Sequence, residues 1–188
     1  SLQVTNLLRY SQCLWLLGFP EQARLRMMES LQLTYAAFPD DECTVLNHYA
    51  TVLYFCRDVT MVAQVAQELV EKAPRLNEMV RLFAGKLYQG WSLAHDARHE
   101  GAAATGLSLI RSSLTALPTA ANKAMGAVWV GIRTEVSLLA GEGDHVAPEL
   151  ELAITTAQAT TNCFWLAHLL KVRGDLYRYH AAPLDQIE

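Results

Sequence analysis

The chain is broken at intervals of 31 to 44 residues by the same kind of interruption, and between interruptions its apolar residues recur at helical spacing. The breaks fall at Gly18, Arg57, Gly101, Gly143 and Gly174, spaced 39, 44, 42 and 31 residues apart. Pro39, Pro74 and Pro118 follow helix-like segments that a proline cannot continue, whereas Pro20 and Pro148 sit where a new helix begins. Leu46, Tyr49, Ala50 and Leu53 form one stripe, and Val62, Val65, Ala66 and Leu69 the next. Val128, Ile132, Val136 and Leu139 repeat the pattern later, followed by Leu150, Ile154 and Ala157. No stretch of more than a few residues alternates with period two, so strands have no support.

The spacing predicts helices over 3–17, 21–37, 42–57, 60–73, 76–98, 102–117, 121–140, 147–159 and 162–179. Alanine and leucine supply 55 of the 188 residues against 10 Gly and 6 Pro, which favours the same all-α reading. Asp41 and Asn162 are expected N-caps. No linker or low-complexity run divides the sequence, so 1–188 reads as one helical-repeat domain. It opens mid-pattern at Ser1, as a piece of a longer chain would.

Small side chains fall at matching places around the breaks. Five residues beyond them stand Ala23, Val62 and Gly106, and seven residues before stand Ala50, Ala94 and Ala167. Pro74 and Pro118 each come twelve residues after the compact residue of their unit. Small residues there let two antiparallel helices approach closely.

Leu46–Tyr49–Ala50–Leu53–Val62–Leu69–Pro74 and Leu93–Ala94–Gly106–Ile110–Pro118 together resemble the tetratricopeptide repeat, a helix–turn–helix unit stacked into a right-handed superhelix. The period exceeds the usual value of about 34 residues, and Ser11, Val136 and Pro148 stand where small residues belong. The phrases at 14–24, 89–94, 106–117 and 163–176 are similar to the C-terminal helical repeats of large bacterial signal-transduction ATPases, a group with winged-helix transcriptional regulators and adenylate/guanylate-cyclase relatives. The resemblance implies a right-handed α-solenoid of about four to five antiparallel helix pairs, acting as an interaction or sensing segment. The motor's G-x-x-x-x-G-K-[ST] motif occurs nowhere in this sequence.

Charge and cysteine usage narrow the function classes. With 15 Lys+Arg against 19 Asp+Glu there is no basic excess for nucleic acid, and no apolar run approaches the ~20 residues that span a bilayer. Cys13, Cys43, Cys56 and Cys163 lie far apart without a CxxC, and read as small buried hydrophobes of a cytoplasmic protein. Neither cofactor nor metal is expected. His95 and His99 at i, i+4 imitate the spacing of H-E-x-x-H zinc peptidases, but Asp96 is not the general-base Glu and no third ligand follows. A helical metalloenzyme built on this pair is the remote alternative to a non-catalytic module. Arg173-Gly174-Asp175 reads as a chance tripeptide at a helix end, and the carboxylates of Glu142-Gly143-Asp144 read as solvated residues of a glycine turn.

The candidate site is the face that the first helix of each pair turns to the concave side of the superhelix. It carries Thr44, Asn47, Thr51 and Tyr54, then Tyr88, Trp91, His95 and Arg98, then Arg133, and lastly Phe164, His168 and Lys171. Aromatic and mildly basic, this set predicts a groove for a protein partner, an acidic peptide or a small anionic ligand. Burial of half of those aromatics between layers is the competing expectation. A stand-alone adaptor joining two proteins is the runner-up, and apolar terminal faces around Trp15 or Tyr177 would favour self-association.

Overall fold

In the computed structural model, which describes residues 1–96, 98–116, 119–160 and 165–181 (backbone alone over 119–125), every extended element is a helix. The order is α1 (Leu2–Leu16), α2 (Pro20–Ala37), a 3-10 turn at Pro39–Asp41, α3 (Glu42–Phe55), α4 (Val59–Lys72) and α5 (Met79–Ala94). Then come α6 (Ala102–Ala116), α7 (Thr119–Leu139), a second 3-10 turn at Gly143–His145, α8 (Ala147–Ala159) and α9 (Leu166–Ala181). The chain divides into two compact units, Ser1–Ser92 and Leu93–Glu188, with the division inside α5.

The helix ends follow from local chemistry. The Ser1 hydroxyl accepts from Val4 N–H at 3.3 Å, Asp58 Oδ1 accepts from Met61 N–H at 3.1 Å, and Pro20 opens α2 where no donor is needed. Asp41 occupies the N-cap position of α3, but its side chain makes no capping bond. Gly18 ends α1 at φ +84°, with its own N–H on Trp15 O and Phe19 N–H on Leu14 O. Arg57 repeats this Schellman closure at φ +59°, through Tyr54 O and Leu53 O. The break at Arg57 is thus a left-handed turn of the same kind, made by a residue that has a Cβ.

Four expectations move. Asn77 takes φ +55° and closes a further Schellman turn, with Glu78 N–H on Ala73 O, so α5 begins at Met79 rather than 76. α5 stops at Ala94 because the Asp96 carboxylate takes the Arg98 N–H at 3.1 Å, a local alternative to the helical bond. Gly174 ends nothing: α9 runs through it, with Lys171 bonded to Asp175 one turn on, and a single interior glycine costs only about 1 kcal/mol. The left-handed glycine after α7 is Gly141, not Gly143.

In the first unit α1, α3 and α5 meet in succession, with α2 and α4 against them. α1 meets α3 through the stacked rings of Trp15 and Phe55, centroids 4.4 Å apart. α2 packs on α1 and α3, and α4 on α3. α4 and α5 approach at Gly85, where an added Cβ would lie 2.8 Å from Val70 Cγ2 and 3.3 Å from the Ala66 carbonyl. The stripes Leu46–Tyr49–Ala50–Leu53 and Val62–Val65–Ala66–Leu69 are all buried. A polar staple binds the outer edge: Tyr35 OH donates to Glu68, and the Lys72 ammonium bridges Glu68 at 2.8 Å and Glu42 while lying over the Tyr35 ring. Burial opposes the charge on Lys72, but the two carboxylates hold its pKa well above the ordinary range.

The second unit has its own core of Val130, Val146, Leu150, Ala153, Ile154, Ala157, Leu169, Val172 and Leu176, where α7, α8 and α9 converge. α6 packs on α7. α7 and α9 touch closely at Gly131, where an added Cβ would sit 2.7 Å from His168 Nε2. Leu139, expected in the apolar stripe, is exposed instead.

Candidate functional site

The residues expected on one continuous concave face fall into the two units. Asn47, Thr51, Tyr54, Tyr88 and Trp91 belong to the first; His95, Arg98, Arg133, His168 and Lys171 belong to the second; Phe164 lies outside the described residues, as do Asn162, Cys163 and Pro118.

The five in the first unit are interior side chains, 0–3% exposed, so they do not line an open groove. Asn47, Thr51 and Tyr54 stand at i, i+4 and i+7 on α3, and Tyr88 and Trp91 answer them from α5. Thr51 Oγ1 donates to Asn47 O at 3.0 Å and lies 2.7 Å from Tyr88 OH. Its one hydrogen is engaged with the carbonyl, so Tyr88 is the donor to Thr51. Burial pushes the Tyr88 phenol up to about 12. Tyr54 meets Trp91 edge-on at 5.0 Å, and Arg57 lies over the Trp91 ring at 5.2 Å. With Phe55 against Tyr54 at 5.4 Å and Trp15 beyond it, an aromatic row crosses α1, α3 and α5. Asn47 differs from its neighbours: its amide is 1% exposed, and among the described residues neither end finds a hydrogen-bond partner. Thr44 is half-buried.

In the second unit the expected cations each stand beside a carboxylate. Arg98, fully at the surface, makes two 2.7 Å bonds to Asp96, which hold the Asp96 carboxyl down to about 2. Arg133 pairs with Glu149, and burial, then the neighbouring Arg111, lowers its pKa. Lys171 reaches Asp175 at 2.7 Å and Glu135 at 3.9 Å. His168 is buried against Gly131, and His95 is half-buried. The anion-ready basic surface read from the sequence is therefore neutralised in place by acidic neighbours.

Since α5 ends at Ala94, His95 and His99 do not share a helical face. His99 Nε2 instead lies 3.9 Å from Asp96 Oδ2. Among the described residues no three His, Cys, Asp or Glu side chains are grouped to hold a metal ion. Both tripeptides are tied down: Arg173 pairs with Glu151, Asp175 with Lys171 and Arg178, and Glu142 with Arg111. Cys43 is buried as expected, but Cys13 is exposed and Cys56 half-buried. Among the described residues no helix is long and apolar enough to cross a membrane.

Two polar clusters had no signal in the sequence: the Tyr35–Glu68–Lys72–Glu42 staple, and a contact between Gln12 Nε2 and His48 Nδ1 at 3.1 Å. The contacts that close them, Lys72 to Glu42, Tyr35 to Glu68 and Gln12 to His48, span 30, 33 and 36 residues, beyond any local motif. No family model, curated protein or solved structure matches this chain.

Proposed function

We propose that this chain is a non-catalytic, tetratricopeptide-like interaction and sensing module, a segment of a larger bacterial transcriptional regulator or signalling ATPase. The observation that supports it is the contact order in the first unit: α1, α3 and α5 meet in succession while α2 and α4 pack against them. A right-handed solenoid of helix pairs repeats that order, each unit burying the apolar face its neighbour cannot bury alone. The buried Ala23, Ala50, Val62 and Gly85 serve as the close-approach points such stacking needs.

Binding falls to the surface cations Arg98 and Lys171, with His95 and Arg133 half-buried beside their own helices. An acidic peptide or protein segment engages them by exchanging its carboxylates for Asp96 and Asp175, so recognition is partner exchange rather than capture by bare charge. The buried Tyr54, Tyr88 and Trp91 act indirectly, by keeping the scaffold rigid. Affinity capture with the whole chain, repeated with Arg98→Glu and with Lys171→Glu, tests this. Loss of the same acidic partner by both variants supports the surface, and full retention by both overturns it.

A further inference from the structure

His48 stands on α3 where α1 crosses it, 3.1 Å from the Gln12 amide nitrogen. The other end of that amide, Oε1, accepts from Arg9 Nη1 at 3.3 Å. An amide held by an arginine at its oxygen must present its nitrogen to the ring, and an amide nitrogen only donates. His48 Nδ1 is therefore the acceptor, which makes the ring neutral with its proton on Nε2. Gln12 is buried and His48 half-buried. The charges acting on the ring are Arg81 of α5 and Arg9 of α1, both cations. Charged groups on the remaining neighbours are engaged elsewhere: Glu68 and Lys72 of α4 with Tyr35 and Glu42, and Arg24 of α2 with Asp58. A proton arriving at Nδ1 would set two donors against each other and add a third positive charge, with no carboxylate among the groups acting on the ring.

We propose that Arg9, Gln12 and His48 form a proton-operated latch that holds α1 on α3 while His48 is neutral and releases α1 when it is protonated. Release uncovers the apolar side of α1, where Val4, Leu8 and Leu14 are now buried. Burial, then Arg81 and Arg9, brings His48 from its ordinary 6.5 down to about 4 in the closed form. The closed-state value lies below the open-state one. The latch is therefore fully effective above about pH 6.5 and is withdrawn as the pH falls toward 4. The device is separate from the partner surface, since none of its members is among the cations assigned to binding.

Amide hydrogen exchange on the whole chain tests it, corrected for the intrinsic pH dependence and compared between 2–16 and 42–55. In the wild type, acidification from about pH 7 to about pH 4.5 is expected to raise the opening of α1 on the order of 10²-fold, with α3 rising far less. His48→Gln removes the titrating group and abolishes that rise. Gln12→Glu places a carboxylate against Nδ1 and keeps α1 protected in acid, a change of opposite sign that a merely damaged fold would not give. An α1 that opens with the wild-type pH profile in both variants overturns the latch. So does an imidazole that titrates at its ordinary value by NMR while α1 stays protected.

Discussion

The hydroxyls of Thr51 and Tyr88 meet at 2.7 Å inside the first unit, a hydrogen bond between buried side chains that joins α3 to α5. Thr51 passes its own hydrogen to Asn47 O, so the phenol has no other acceptor in that bond pair. The two partners are therefore unequal. Thr51→Val strands a buried phenol and is expected to cost about 1–3 kcal/mol, whereas Tyr88→Phe leaves Thr51 its carbonyl and costs about 1 kcal/mol. The double variant should cost less than the sum. Urea unfolding of the four proteins checks the cycle, and strict additivity would refute the coupling.

The glycines separate into those that carry packing, such as Gly131 and Gly85, and those whose Cβ would meet nothing, such as Gly174. A Cβ on Gly131 would meet His168 at 2.7 Å, and one on Gly85 would meet Val70 at 2.8 Å and the Ala66 carbonyl at 3.3 Å. His168 is buried, and at Gly85 the Ala66 carbonyl is fixed backbone, so Gly131→Ala and Gly85→Ala should each destabilise by about 1–3 kcal/mol. Gly174 lies within α9 with nothing inside 4 Å of its Cβ position. Gly174→Ala should stabilise by about 0.5–1 kcal/mol through helix propensity. Thermal melts order the three variants, and a destabilised Gly174→Ala would mean that α9 breaks there.

That contrast marks how far the sequence could be read. Apolar periodicity located the helices and the buried α3 and α4 stripes, because burying one face is the term that 3.6-residue spacing records. It could not say which second face a third helix covers. Tyr54, Tyr88 and Trp91 therefore read as groove residues in the sequence, whereas in the structure α5 closes over α3 and buries them. Gly174 looked like a stop because glycine marks turns on average, and only the Lys171–Asp175–Arg178 pairing along α9 shows why the helix persists. Arg57 was legible as a break despite being no glycine, since the apolar pattern resets around it. Gln12 and His48 were not, because contact across 36 residues leaves no local trace.

Lys72 ties α4 to α3 and shields the Tyr35–Glu68 bond. Replacing it with methionine keeps the stem over the Tyr35 ring but leaves Glu42 and Glu68 without their shared cation. The expected loss is about 1 kcal/mol at low salt, shrinking as sodium chloride is raised, because the pairs are partly screened by solvent. A loss independent of salt would assign the effect to packing instead. Chemical denaturation with urea, which adds no charge, resolves the two.

Cysteine reactivity offers the most direct map of the first unit. Cys43 has no exposed surface, and burial, then Glu78 and Glu42, pushes its thiol up to about 11. Burial raises Cys56 as well, whereas Cys13 is exposed on α1. Since the thiolate is the reacting species, a burst of iodoacetamide on the native chain near neutral pH should label Cys13 first and Cys56 slowly. Cys43 should react only when the unit unfolds. Peptide mass spectrometry of the quenched reaction reads the order. Labelling of Cys43 at the rate of Cys13 would contradict the closed packing of α3 against its neighbours.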